Sequence, residues 1–174
     1  MISRSHTKGE TQSVAIYSDC GSYRYCLTRV WEKSGLKVMF VMLNPSKATE
    51  EQNDPTVERC ERRARTLGYG AFCVTNLFGW RATDPADLRR VKAPVGPDNG
   101  AIVETAIRWA DHIIAAWGTH GAYQGQGPQM ASQLFESGVP VFHLGLSKDG
   151  HPKHPLYLPY KTEPVLWSPS EMTR

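Results

Sequence analysis

Apolar and polar positions along this chain follow two rhythms. Residues 36–43 contain the run Met39-Phe40-Val41-Met42-Leu43. It is too short to cross a membrane and suits a strand buried on both faces. The run stops at Asn44-Pro45-Ser46. Pro45 cannot donate to a sheet ladder and restrains the residue before it, so the strand ends at Asn44. Similar runs at 71–76, 112–117 and 139–144 predict three further strands. Between the first two the period changes to that of a helix. Asp54 and Pro55 supply an N-cap and a first-turn proline. Val57, Cys60, Ala64 and Leu67 then form one apolar stripe, and Gly68 ends the helix. Glu58, Arg59, Glu61, Arg62, Arg63 and Arg65 are placed largely on the opposite face. Helices are also predicted at 101–109 and 129–136, with a short one opened by Asp84-Pro85. Residues 23–31 are rich in aromatic and β-branched side chains. With a turn at 32–35, they predict an antiparallel hairpin with 36–43. Residues 119–127 are glycine-rich and predict a flexible connection.

Strands alternating with helices predict an α/β fold, a three-layer α/β/α sandwich. Its central sheet is mostly parallel, with about four strands plus an N-terminal antiparallel strand. The 174 residues suit one domain, assigned to 13–166, with a flexible polar start at 1–12 and an irregular tail at 167–174.

Composition changes this picture little. Forty per cent hydrophobic and 21% charged residues are ordinary for a globular protein, and a net charge of +3 permits a polyanionic partner without requiring one. No run of 18 apolar residues is present, so no membrane partner is expected. The first eight residues lack the apolar centre of a signal peptide, which predicts a cytoplasmic protein. Cys20, Cys26, Cys60 and Cys73 form no Cys-x-x-Cys pair and no zinc pattern. They are read as reduced thiols, Cys60 and Cys73 as small buried hydrophobes, and neither metal nor cofactor is expected.

Candidate chemistry gathers at the strand ends, because ligands of open α/β sheets bind outside the carboxyl ends of strands. Asn44 and Ser46 follow the first strand, Asn76 ends the second, Trp117 and Gly118 end the third. The polar loop after the fourth carries Lys148, His151, Lys153 and His154. Asp54 is read either as a helix cap or as a carboxylate beside the pocket. Phe78 and Trp80 are read either as core or as stacking surfaces. The arginines of the first helix, interleaved with Glu58 and Glu61, read as a solvated salt-bridged face, leaving Lys148 and Lys153 as the better phosphate contacts.

The order Leu43-Asn44-Pro45-Ser46, Val74-Thr75-Asn76-Leu77, Ala116-Trp117-Gly118-Thr119-His120-Gly121 and His154-Pro155-Leu156-Tyr157 resembles the uracil-DNA glycosylase superfamily over roughly residues 36–160. More closely, Asp54-Pro55-Thr56, the segment 75–78, Arg81-Ala82-Thr83-Asp84-Pro85, the segment 95–99 and the segment 149–157 are similar to the bacterial and phage domain-of-unknown-function family 1643. The glycosylase resemblance implies a nucleic-acid or nucleotide partner and an N-glycosidic hydrolase acting on a modified base or nucleotide. It implies that Asn44 orients water, Asn76 hydrogen-bonds the base, and His154 stabilises charge on the departing base. Ser46, Phe78, Trp80, Trp117, His151 and Lys148 would complete the substrate site. The last motif lacks the usual Ser-Pro, which leaves two other readings open. One is a non-catalytic nucleic-acid or nucleotide-binding module. The other is a metal-assisted or acid/base enzyme using Asp54, His151 and His154.

Overall fold

The computed structural model describes residues 1–173. In chain order its elements are β1 (Ile2–Lys8), β2 (Thr11–Tyr17), β3 (Arg24–Val30), β4 (Lys37–Met42), α1 (Pro55–Thr66), β5 (Ala71–Asn76) and α2 (Asn99–Trp109). They continue with β6 (His112–Ala115), α3 (Gln126–Glu136), β7 (Val141–His143) and β8 (Val165–Leu166). Short 3-10 segments connect them, including Pro85–Arg90, Thr119–Gly125 and Pro155–Tyr157.

The apolar run around Phe40 forms the heart of the sheet. β4 lies between β5 and β6 and is parallel to both. Its alternate side chains enter two separate cores, as the two-residue period of a strand requires. Met39 and Val41 pack with Val103, Ile107 and Leu134 from α2 and α3. Val38, Phe40 and Met42 pack with Val57, Cys60 and Ala64 from α1. Helices therefore cover the two faces of β4, and the fold is mixed α/β.

The full sheet has eight strands in the order β1-β2-β3-β5-β4-β6-β7-β8. Four of its ladders are antiparallel and three parallel, which corrects the expectation of a mostly parallel sheet. Parallel pairing is confined to the four central strands. Three of the four antiparallel ladders involve β1, β2 or β8, segments for which no strand was expected. Residues 1–12, expected to be flexible, form β1 and the start of β2, which pair antiparallel from Ile2↔Tyr17 to Lys8↔Thr11. β1 has no buried face, so it carries no apolar alternation to reveal it. At the other edge, β8 pairs with β7, and Trp167 beyond it is buried against Trp117, Phe135 and His143. The tail assigned to 167–174 thus contributes to the core through Trp167 and Met172, and Arg174 lies outside the described residues.

The hairpin expected between 23–31 and 36–43 is not formed. β5 separates the two strands and pairs antiparallel with β3, Leu27 opposite Val74. The connection at 32–35 spans this gap because Trp31 and Glu32 donate their N–H groups to the Gly70 carbonyl at the entrance to β5. A Cβ on Gly70 would lie 2.3 Å from the Glu32 carbonyl, so only glycine fits there.

α1 begins as predicted, with Asp54 accepting the Val57 N–H at 2.9 Å. Its apolar stripe is shifted: Leu67 is exposed, whereas Arg63 is buried. The Arg63 guanidinium is held by the carbonyls of Pro159, Tyr160 and Thr162, which pins the C-terminal segment to the helix. Residues 119–127, expected to be flexible, form a seat for an indole. Cβ atoms on Gly121 and Gly127 would lie 2.2 and 3.0 Å from the Trp117 ring.

Candidate functional site

A cleft of about 570 Å³ opens at the carboxyl ends of β4 and β6. Its wall is mostly apolar and is assembled from five places in the chain. These are Leu43 to Lys47 without Pro45, the N-terminus of α1 with Asp54 and Thr56, the segment Ala82, Thr83 and Pro85, the segment from Trp117 to His120, and His154, Leu156 and Tyr157. Pro45 prevents β4 from continuing and turns Asn44 and Ser46 toward the segment after β5. Asn44 donates through Nδ2 to the Ala82 carbonyl at 2.7 Å and the Pro45 carbonyl at 3.1 Å. Its Oδ1 accepts no hydrogen bond among the described residues. Ser46 Oγ donates to Thr83 Oγ1 at 3.3 Å. The Ala82 N–H returns to the Pro45 carbonyl at 2.9 Å, so the two segments are laced together under the cleft.

Asp54 serves two backbone donors. Oδ1 takes the Val57 N–H, and Oδ2 takes the Ala48 N–H at 3.1 Å. The carboxylate therefore caps α1 and ties down the loop that precedes it. It also offsets the burial of two arginines, Arg24 and Arg29. Arg24, fully buried with a guanidinium N–H on the Ala48 carbonyl, is lowered to about 10 by burial, and Asp54 opposes that shift.

His154 caps the 3-10 turn Pro155–Tyr157, its Nδ1 accepting the Leu156 N–H at 3.3 Å. Burial lowers its pKa from 6.5 to about 4, against the pull of Asp54. A ring whose Nδ1 is an acceptor and which stays neutral carries its proton on Nε2. That Nε2–H has no acceptor among the described residues. Gly118 fixes the loop behind it by donating to the Pro152 carbonyl at 2.7 Å. A Cβ on Gly118 would lie 3.5 Å from that of His154.

The structure thus brings Asn44, Ser46, Asp54, Trp117 and His154 to one cleft. The other residues expected there are placed elsewhere. Asn76 is 1% exposed and lies behind the wall, in register with Met42. Its backbone carbonyl accepts from Asn99, and its side-chain amide makes no hydrogen bond among the described residues. Phe78 is fully buried against Tyr123, with ring centroids 5.7 Å apart, and belongs to the core. Trp80 meets Tyr23 edge-on at 5.3 Å and lines a shallow neighbouring cleft of about 440 Å³ with Ser46, Lys47 and Arg81. His151 lines a small cavity that Trp117, Pro152 and Trp167 also line. Lys148 is exposed on the turn at 147–150, outside the cleft wall.

Asp54 and His154 line the cleft while His151 lines the smaller cavity, so the three do not share one cleft. No group of three or more His, Cys, Asp or Glu able to hold a metal occurs among the described residues. Residues not anticipated at the cleft include Thr56, Thr83, His120 and Tyr157. The signal for the last two was their place inside motifs already noted, next to Trp117-Gly118 and after His154. Tyr157 is 87% exposed at the rim, an unusual position for a large aromatic ring.

A second cleft of about 630 Å³ lies beside β1, β2 and α1. Most of its charges are spent on one another. Arg29 bonds Asn53 and the carbonyls of Thr49 and Glu50, and Asn53 donates to Glu58 and Glu61. It offers no group for a ligand comparable with Asn44 Oδ1 or His154 Nε2.

No helix among the described residues is long and apolar enough to cross a membrane. No curated protein and no solved structure matches the chain. Residues 24–156, which carry β3 to β7 and every residue of the cleft but Tyr157, match the family model described as "Protein of unknown function (DUF1643)", and the chain belongs to that family.

Proposed function

We propose that the cleft receives a nucleobase, within a nucleic acid or as a nucleotide, and that the chain is an N-glycosidic hydrolase. The reading includes the three-layer α/β/α arrangement of the uracil-DNA glycosylases, which the sequence motifs resemble. What carries it is the His154 imidazole, held neutral with Nε2–H unshared at the cleft. Cleavage of an N-glycosidic bond sends the bonding electron pair onto the base and leaves a cation-like sugar carbon. A fixed, partly desolvated donor stabilises that departing anion better than water does. Asn44 Oδ1 accepts a hydrogen bond from the attacking water; as the water oxygen bonds the sugar carbon, one proton stays on the new hydroxyl and the other passes through solvent to the departing base, which leaves neutral. Both oxygens of Asp54 accept backbone N–H groups, which ties it to the cleft floor and leaves Asn44 to orient the water.

That last observation also favours a second reading, a module that binds the base without cleaving it. Oligonucleotides bearing uracil and assorted modified bases, incubated with the chain and then treated with alkali to break abasic sites, separate the two. The hydrolase yields strand breaks with at least one base, and His154→Ala lowers the rate about 100- to 1000-fold, the usual effect of removing one such donor. Salt-dependent binding without breaks on any strand, and without free base from the matching nucleotides, supports the module and refutes hydrolysis.

A further inference from the structure

Two guanidinium groups converge on one aromatic ring at the edge of the sheet. Arg4, from β1, lies 5.3 Å from the ring centre of Tyr17, and Arg81, from the segment after β5, lies 5.5 Å from it. Both line a pocket of about 230 Å³ together with Tyr17, Ser18 and Cys20. Neither arginine has a salt bridge among the described residues, and the hydrogen bond Arg81 makes is to the Gly21 carbonyl. The carboxylate that lines the pocket, Asp19, is held 2.7 Å from the Met1 ammonium. Glu50 is engaged by the Tyr17 hydroxyl at 2.8 Å. Buried Arg24 adds a third positive charge, close enough for Arg81 to disfavour its protonated form. Like charges drawn to one ring repel, and an anion between them relieves that repulsion while offering oxygens to the planar forks.

We propose that Arg4 and Arg81 form a phosphate-binding subsite for the phosphodiester backbone of a nucleic-acid strand whose base enters the cleft. The inference rests on the reading of the cleft as a base site and extends it by a route. The pocket shares Gly21 and Arg81 with the shallow cleft beside Trp80, and that cleft shares Ser46 and Lys47 with the main one. A strand leaving the main cleft passes Lys47, then Arg81, then Arg4. Arg4 precedes the portion of the chain matched by the family model, whereas Arg81 lies within it.

The test is fluorescence anisotropy of a labelled single-stranded oligothymidylate with the full chain across a salt series, using Arg4→Gln, Arg81→Gln, the double variant and Arg4→Lys. Each lost phosphate contact flattens the slope of log affinity against log salt by about 0.7. The double variant is expected to flatten it by about 1.4, with Arg4→Lys close to wild type. Arg4 is on an exposed strand, so Arg4→Gln and Arg4→Lys test the subsite even where Arg81→Gln disturbs folding. Wild-type affinity and slope in Arg4→Gln overturn the subsite while leaving the cleft reading intact. If the wild type binds no oligonucleotide, the strand-binding form of the cleft reading falls, and inorganic phosphate decides the subsite. Shifts of the Arg4 and Arg81 Nε–H resonances on adding phosphate support a small-anion site, and their absence overturns it.

Discussion

Holding the His154 ring neutral in the folded chain has a measurable cost in acid. The unfolded chain takes up this proton near pH 6.5, whereas the folded chain resists until about pH 4. Between those values the unfolded state binds more protons, so stability is full above 6.5 and falls as pH is lowered toward 4. At about 1.4 kcal/mol per pH unit the whole displacement is worth about 3 kcal/mol, and about 2 kcal/mol of it is lost between pH 7 and pH 5. Urea unfolding of wild type and His154→Gln at those two pH values isolates the contribution, since glutamine does not titrate and every other group is common to both. The wild type should lose about 2 kcal/mol more than the variant over that interval. Equal losses would refute the assignment of a neutral, buried imidazole. The same property shapes catalysis: a donor that is already neutral gives no activity limb near pH 6.5, and a limb there that vanishes in His154→Gln would place a titrating acid or base in the mechanism instead.

Three further outcomes follow from contacts elsewhere in the fold. Asp54→Ala removes an N-cap and a second accepted N–H, a loss of about 2 kcal/mol that lowers Tm by about 4–8 °C. Asp54→Asn caps equally well and should retain more than half of that stability, so equal falls in Tm for the two variants would assign the effect to charge. Arg63→Ala releases three carbonyls of the segment 159–162 and should cost roughly 3 kcal/mol in urea unfolding, with early proteolytic cleavage in that segment. An intact cleavage pattern would contradict the pinning role. Cys20 is exposed, and hydrogen bonding with Ser18 lowers its thiol to about 7, while Cys26, Cys60 and Cys73 are buried. Iodoacetamide at neutral pH should therefore modify one thiol per native chain, and mass spectrometry showing label on a buried cysteine would refute this.

The elements legible in the sequence are those with a buried face. β4 and β5 are apolar on both sides, and α1 carries a cap, a first-turn proline and a 3.6-residue stripe, so local pattern and final position agree. β1 was hidden because none of its side chains is buried. The position of β3 was hidden because its neighbour is chosen by β5, more than 40 residues later in the chain. Burial of Arg63 depends on carbonyls 96–99 residues away, and no local rule supplies them. For the site, strand order pointed to one edge of the sheet, where Asn44, Asp54, Trp117 and His154 line one cleft. It carried no information on which way a side chain turns past the strand end. Phe78 turned into the core, Asn76 remained behind the wall, and His151 joined a separate cavity.

The two edges of the sheet have a further consequence for the chain at high concentration. An open strand exposes a row of N–H and C=O groups that another molecule can extend into an aggregate. At one margin β1 is seven residues long, but Arg4, His6 and Lys8 alternate along it with Ser3, Ser5 and Thr7. A second copy docking there would have to strip water from like charges. At the other margin β8 is two residues long and follows directly after Pro164, too short a template to propagate. Polarity guards one end and brevity the other, so the sheet terminates colloidally as well as topologically, and its apolar centre is never presented as a template for fibre growth.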